Sequence, residues 1–291
     1  MILPPRPDAT VGDWLLLNAE EPAESVVLER KNLIKRRAPG GERQVQLIGA
    51  NLDTTFIVTS CNDDFNIARL ERYVALALED RASPVILLTK ADLAEDVESY
   101  LSQARSISAD VPVLAIDGRG EEPRERLAHW CKPGKTVAFI GSSGVGKSTL
   151  TNTLSGGQEV KTQGIREADA RGRHTTTSRQ LHLLVSGCTV LDTPGMREVQ
   201  LTDAASGLGE LFADLQELGT QCRFRDCMHE SEPGCAIKAA LAAGEIGKAR
   251  LLRWKKLVAE DAFNSESLSP RKAMDRTFGR VAKQGKKRGK K

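Results

Sequence analysis

Nine residues, Gly141, Ser142, Ser143, Gly144, Val145, Gly146, Lys147, Ser148 and Thr149, fit the spacing G-x-x-x-x-G-K-[ST]. That pattern suits a loop that holds a nucleoside triphosphate. Glycines let the backbone wrap an anion, while the loop N–H groups and the start of a following helix point at phosphate oxygens. In this chemistry Lys147 reaches the β- and γ-phosphates and the Ser148 hydroxyl holds a magnesium ion. The flanks agree, because residues 136–140 read as a short buried strand and residues 147–154 can start a helix.

Two further clusters refine the chemistry. Asp192-Thr-Pro-Gly195 follows an apolar run, as a second magnesium and γ-phosphate motif should. Asp192 can hold the metal and the Gly195 N–H can sense the γ-phosphate. Thr89, Lys90, Ala91 and Asp92 also follow an apolar run, and they select the base. An ionised carboxylate offers only acceptors. Guanine presents two donors, N1–H and N2–H₂, on one edge, whereas adenine would leave the Asp92 carboxylate desolvated and unpaired. The Lys90 stem can lie along the purine face.

Between the phosphate loop and Asp192 lies Gly172-Arg-His-Thr-Thr-Thr177, in a segment without helical or strand period. One of its threonines is placed to complete the magnesium shell when a γ-phosphate is present, so such a loop orders with GTP and loosens after hydrolysis. Thr176 is the choice among them. His174 is either the group that orients the attacking water or a bland loop histidine. Position 196, where many GTPases carry a water-positioning glutamine, is Met. A thioether cannot orient water, so turnover is expected to be slow without His174 or a partner.

A fourth cluster, Cys222-x₄-Cys227-x-His229-x₅-Cys235, has the composition of a tetrahedral zinc site with no open position, the mark of a structural metal. The other cysteines, Cys61, Cys131 and Cys188, are isolated and expected to be buried.

These groups must be positioned by elements whose periods are readable. Apolar runs at 54–59, 85–88, 111–116, 136–140, 181–185 and 188–191 alternate with helical patterns at 67–78, 93–104, 121–130 and 147–154. That alternation predicts a mostly parallel sheet covered on both faces. Residues 208–260 read as helical, interrupted by the cysteines. Strands are expected at 11–17 and 25–28, followed by a basic loop carrying Arg30, Lys31, Lys35, Arg36 and Arg37. The net charge of +3 hides an asymmetry: residues 271–291 hold ten basic residues and one acid, leaving −6 on the preceding 270. An acidic body with a basic, unstructured tail suggests a tethered contact with a polyanion. The start lacks the pattern of a signal peptide and no apolar stretch reaches the length of a membrane span, so a cytoplasmic protein without membrane contact is expected.

The base motif precedes the phosphate loop, the reverse of the Ras-like order, so the chain reads as circularly permuted. Permuted order, GRHTTT, DTPGMRE and CRFRDCMHESEPGC together resemble the RsgA family of small-ribosomal-subunit-dependent GTPases, as do VGDW, ANLDTTFIV and LERY. The resemblance spans residues 10–260. It implies a GTPase that binds the maturing small ribosomal subunit and its rRNA, acts late in assembly and leaves after GTP hydrolysis. It also implies zinc positions at Cys222, Cys227, His229 and Cys235; from the residues themselves, one structural zinc ion, magnesium held with GTP by Ser148, Thr176 and Asp192, and a monomer are expected. Lys147, His174 and Thr176 are the catalytic candidates.

The expected fold is α/β: a circularly permuted P-loop GTPase domain over 51–200, after a partial OB-like β segment over 1–50. A helical zinc domain over 201–263 and a basic tail over 264–291 follow. Five strands of a barrel cannot be built from the first 50 residues. The sequence departs from the family pattern at Thr89, where many GTPases have Asn, and at Ile116-Asp117-Gly118, where the loop behind guanine usually ends in Ser-Ala. With one hydroxyl in place of a two-ended amide, the base loop is expected to be held less firmly. Switch II runs through 196–221 into the zinc domain, so a shift at Gly195 would reposition that domain. Two other readings are an RNA-binding zinc module whose GTP site is only structural, and an ATP-using P-loop kinase. The second lacks a substrate signature and conflicts with Asp92.

Overall fold

Val85, Ile86, Leu87 and Leu88 are all fully buried, yet they serve two different cores. Val85 and Leu87 join Phe56, Val58, Val137, Val190 and Leu150 on one side of a sheet; Ile86 and Leu88 join Ile57, Ala138, Ile140 and Leu191 on the other. Alternate side chains of a strand face opposite ways, so a strand covered on both faces reads as an unbroken apolar run. The computed structural model describes residues 8–37, 45–156, 180–192 and 203–265. His174, Thr176, Gly195 and Met196 lie outside these residues, as does the basic tail.

The main sheet is built from β5 (Thr54–Ser60), β6 (Ser83–Thr89), β7 (Val113–Ala115), β8 (Thr136–Ile140), β9 (Gln180–Leu183) and β10 (Thr189–Asp192). Their spatial order is β7-β6-β5-β8-β10-β9. All neighbours are parallel except β9, which pairs antiparallel with β10. The chain builds outward from β5 to β7, then starts again at β8 on the other side of β5. That reversal makes a topological switch point, where open α/β sheets bind ligands beyond the carboxyl ends of their strands.

Helices α3 (Glu122–Leu127) and α4 (Lys147–Leu154) supply Leu127, Leu150 and Leu154 to one face. Helices α1 (Ile67–Glu79) and α2 (Val97–Arg105) cover the other, which continues without a break into α5 (Ala205–Leu211), α6 (Ala213–Thr220), α7 (Ala236–Ala243) and α8 (Lys248–Ser265). The Asn66 side chain caps α1 by accepting from the Arg69 N–H at 3.0 Å, satisfying one of the orphan donors at a helix start. Helix α5 crosses α1 closely: a Cβ on Gly207 would stand 1.9 Å from the Ala75 carbonyl oxygen. The Gly207 N–H instead donates to Glu79 at 2.9 Å.

The N-terminal region holds two separate antiparallel pairs, β1 (Leu15–Leu16) with β2 (Val26–Val27) and β3 (Leu33–Arg37) with β4 (Val45–Ala50). The segment expected to be a basic loop is therefore partly a strand. Its alternation is easy to miss because Ile34 enters the core from β3, while the strand's sequence is mostly basic. Two of the basic residues are engaged in ion pairs, Arg30 with Asp13 and Lys31 with Asp53, both at 2.6 Å. Buried Asn32 fastens this segment to the body, exchanging hydrogen bonds with the Leu52 backbone at 2.7 and 2.9 Å.

Candidate functional site

The phosphate loop leaves β8 at Ile140 and enters α4 at Lys147. Gly141, Gly144 and Gly146 all have positive φ, at 144°, 77° and 95°. At Gly141 the need for glycine is absolute, because a Cβ would meet the Val58 carbonyl oxygen at 2.1 Å. Val145 anchors the loop in the core at 1% exposure, while Ser143, Gly144, Ser148 and Thr149 face outward. The Lys147 ammonium lies back over the loop, donating to the Gly141 carbonyl at 2.7 Å and to that of Ser142. A flexible, strongly hydrated ammonium over a cradle of N–H groups is what a phosphate chain needs. The donor set fits a nucleotide.

The loop that carries Thr89 to Asp92 leaves β6, two strands away with β5 between them. Thr89 is buried and its hydroxyl lies 2.7 Å from the Val145 carbonyl oxygen and 3.1 Å from that of Thr59. One side chain therefore joins the base loop, the phosphate loop and β5. The chain then turns sharply: Lys90 adopts a left-handed conformation with φ 56° and ψ 30°, before a 3-10 turn over Ala91–Leu93. A non-glycine residue held there is typical of a functional loop. The turn leaves Asp92 on the open side.

The loop 116–120, which follows β7, touches both of these regions. The Ile116 N–H donates to the Leu88 carbonyl at 2.8 Å, and the Gly118 carbonyl accepts from the Thr153 hydroxyl of α4 at 2.8 Å. Gly118 also packs within reach of Thr149 and Leu150. The loops after β6, β7 and β8 thus lie together at one end of the sheet. Sequence reading did not single out Arg119, whose guanidinium reaches Asp92 at 2.5 Å and Asp117 at 3.1 Å. Its hydrogen bond holds the Asp117 carboxyl below the usual range. Its adjacency to Asp117 was the one available signal.

Asp192 is the last residue of β10, paired in register with Gln180. This places the end of β10 beside β8, from which the phosphate loop departs.

The cysteine cluster forms as expected. The ligand atoms of Cys222, Cys227, His229 and Cys235 all lie within 4.8 Å of one another. Cys222 Sγ stands 3.6 Å from His229 Nδ1 and 3.9 Å from Cys235 Sγ, and His229 Nδ1 stands 3.4 Å from Cys235 Sγ. A tetrahedron with metal–sulfur bonds of about 2.3 Å and a metal–nitrogen bond of about 2.0 Å has edges of roughly 3.5–3.8 Å. The edges among Cys222, His229 and Cys235 match a metal of zinc's size, and Cys227 completes a set whose ligand atoms lie within 4.8 Å. Burial, and then the Lys255 ammonium, hold His229 below its ordinary pKa, so a neutral imidazole offers its lone pair. Burial pushes the Cys222 thiol up, but the Ala236 and Ile237 N–H groups at the start of α7 outweigh it and lower its pKa, which favours the thiolate that a metal requires.

Glu232 shapes this loop from outside the ligand set. Its carboxylate accepts from the Met228, Glu230 and Ser231 N–H groups at 2.8, 2.8 and 3.0 Å. Backbone donors, its own N–H first and then those of Glu230 and Met228, hold its pKa down to about 2. These bonds bracket His229, which sits at φ 58°.

Three consecutive residues of α8 bind this unit to the body. Arg253 pairs with fully buried Glu71 of α1 at 2.7 Å. The Trp254 ring lies 5.8 Å from that of His229, and Lys255 donates to the Met228 carbonyl at 2.6 Å. Among the described residues no helix is long and apolar enough to cross a membrane.

Comparison with known proteins agrees with this geometry. The family model described as RsgA GTPase matches residues 27–202. A relative in Vibrio parahaemolyticus, small ribosomal subunit biogenesis GTPase RsgA 2, is 48% identical over 277 residues, covering 95% of this chain and 77% of its own. The small ribosomal subunit biogenesis GTPase RsgA of Mesorhizobium japonicum is 52% identical over 261 residues, 89% of this chain and 75% of its own. Among solved structures, YjeQ from Thermotoga maritima matches with a TM-score of 0.62 at 28% identity, covering 87% of this chain and 84% of that one. YloQ, a circularly permuted GTPase, matches with a TM-score of 0.59 at 25% identity, covering 90% and 84%. With the base loop ahead of the phosphate loop in sequence and beside it in space, the chain belongs to the RsgA GTPase family.

Proposed function

We propose that this protein hydrolyses GTP while bound to the maturing small ribosomal subunit, late in assembly, and is released when hydrolysis is complete. The observation that supports this is the Thr89–Val145 bond, which joins the segment before Asp92 to the glycine-rich loop after β8. Asp92 accepts the two donors of the guanine edge, and Lys90 lies along the purine. Gly141 to Thr149 wrap the phosphates, and Lys147 exchanges its carbonyl partners for the β- and γ-phosphate oxygens. Ser148, Asp192 and Thr176 hold the magnesium ion, which neutralises charge developing on the phosphates when bound. His174 orients water in place of the glutamine that position 196 lacks, and Gly195 senses the γ-phosphate.

Zinc suits the Cys₃His set best and has a structural role, since four protein ligands leave no position open for substrate. The likeness of the named relatives, which are small ribosomal subunit biogenesis GTPases, supports the small subunit and its rRNA as partners. A monomer acting in the cytoplasm fits this role. With Met at position 196, turnover alone is slow and the subunit stimulates it. GTP turnover titrated with purified small subunits tests this. Stimulation that saturates with subunit concentration is expected, and a rate indifferent to subunits would overturn the coupling.

A further inference from the structure

The guanine seat lies between two loops, 90–92 after β6 and 116–120 after β7. Arg119 spans them. Its Nε bonds Asp117 Oδ1 at 3.1 Å on its own loop, and its Nη2 bonds Asp92 Oδ2 at 2.5 Å on the other. The Arg119 N–H also donates to Asp117 Oδ1 at 3.1 Å, so the carboxylate of Asp117 holds both the backbone and the side chain of Arg119 in the bridging pose.

This bridge conflicts with base recognition. A guanine edge uses both oxygens of Asp92, one for N1–H and one for N2–H₂, and one of these is the Oδ2 that Arg119 holds. Arg119 offers donors, as guanine does, so the two compete at Asp92 Oδ2 while Oδ1 takes no bond from Arg119. An adenine edge gains nothing from Asp92 and does not enter the contest.

We propose that Arg119 sets guanine nucleotide affinity by competing with the base for Asp92, so that its guanidinium must swing outward before GDP or GTP is held. The inference rests on the reading of Asp92 as the guanine acceptor. Room for that swing exists, because the Arg119 side chain is 66% exposed and Asp92 31%. Exposure also limits the effect. Ion pairs open to water are weak and screened by salt, which places the competition at about two- to fivefold in affinity. A contest of that size speeds nucleotide release without abolishing binding. Such a setting suits a protein that alternates between GTP and GDP.

The test is equilibrium binding and dissociation of fluorescent GDP with the full-length chain and its R119A and R119K variants, at low and high salt, with fluorescent ADP in parallel. Arg119 is at the surface, so thermal melting of both variants should match the parent. R119A is expected to bind GDP about two- to fivefold tighter at low salt and to release it more slowly, with the gap closing as salt rises and ADP binding unchanged. R119K, which keeps the charge without the planar fork, should fall between parent and R119A. Equal or weaker GDP binding by R119A, with GDP still preferred over ADP, overturns the proposal and leaves the base reading intact. No preference for GDP over ADP in the parent chain overturns the base reading itself.

Discussion

The Thr89 hydroxyl lies 2.7 Å from the carbonyl oxygen of Val145 and 3.1 Å from that of Thr59, so a single buried oxygen holds the base loop against the phosphate loop. A hydroxyl carries one proton and cannot donate fully to two carbonyls. The shorter contact is the one across the nucleotide site. The sequence departs from the usual Asn at this position, and the expectation of a weaker hold meets a residue that is 2% exposed and centrally placed.

Thr89→Val keeps the shape and deletes the donor. The buried Val145 carbonyl then loses its partner, at a cost of about 1–3 kcal/mol. Much of that should appear in the nucleotide complex, so GDP affinity is expected to fall by roughly tenfold, while Thr89→Ser restores most of it. Titration with fluorescent GDP decides, and an affinity equal to the parent's would show that the bond does not hold the loop.

Asp92→Asn replaces an acceptor with a donor on one side of the carboxylate position. GDP binding should weaken by about ten- to a hundredfold, with ADP little changed, so base preference relaxes. Competition between the two nucleotides measures it. An undiminished preference for GDP would assign base reading elsewhere.

Cys235 belongs to the candidate metal cluster and is also the N-cap of α7, accepting from the Lys238 N–H at 3.5 Å. Metal affinity in such a site is folding free energy. Elemental analysis should find one zinc per chain. Cys235→Ala, or stripping with a strong chelator, should lower the melting point by on the order of 10 °C. It should also raise amide exchange over 222–243 while leaving GDP binding in place. Unchanged exchange there would separate the cluster from the stability of the domain.

Arg253 is the principal partner of a fully buried carboxylate. Glu71 is 0% exposed and its Oε1 has no hydrogen-bond partner; burial raises its pKa, against the opposing pull of Arg253. Arg253→Ala strands the charge and should cost about 3–5 kcal/mol. The double variant Glu71→Leu with Arg253→Met should recover most of that loss, because an apolar pair carries no desolvation penalty. Equal instability of the single and double variants, read by urea melts, would contradict this account of the α1–α8 contact.

Asp53 ties three chain segments together, bonding Lys31 at 2.6 Å, Lys135 at 3.0 Å and the Thr136 N–H at 3.0 Å. Burial alone would raise its pKa, but these donors outweigh burial and lower it below 3.8. A carboxylate depressed on folding stabilises the protein fully above its unfolded pKa and loses that contribution as pH falls toward the folded value. Asp53→Asn should therefore cost about 0.5–1.5 kcal/mol at neutral pH, and the gap from the parent should shrink below about pH 4. A gap that stays constant down to pH 3 would remove ionisation from the explanation.

Some of this protein was fixed by local chemistry and could be read from residue order alone. The Cys-Cys-His-Cys spacing admits a closed tetrahedron, and the short apolar runs at β5, β6 and β8, alternating with helical patterns, read as strands buried on both faces. The helix after the phosphate loop was legible to the residue, because Gly146 and Lys147 start it by a rule of geometry. What depended on distant contacts was not legible. The strand over Leu33–Arg37 shows its core through Ile34, and its partner lies beyond an intervening segment, so charge masked its period. Nothing in the order of residues places Arg119 on Asp92, 27 positions away, or Arg253 on Glu71, 182 positions away. Such pairs are decided when helices and loops from separate parts of the chain pack against one sheet, because a side chain's partner is set by proximity in space and its cost by burial. The sequence names the candidate phosphate loop, the carboxylate at Asp92 and the Cys₃His cluster. The tertiary structure alone decides that Arg119 meets that carboxylate and that α8 carries the cluster's unit against α1.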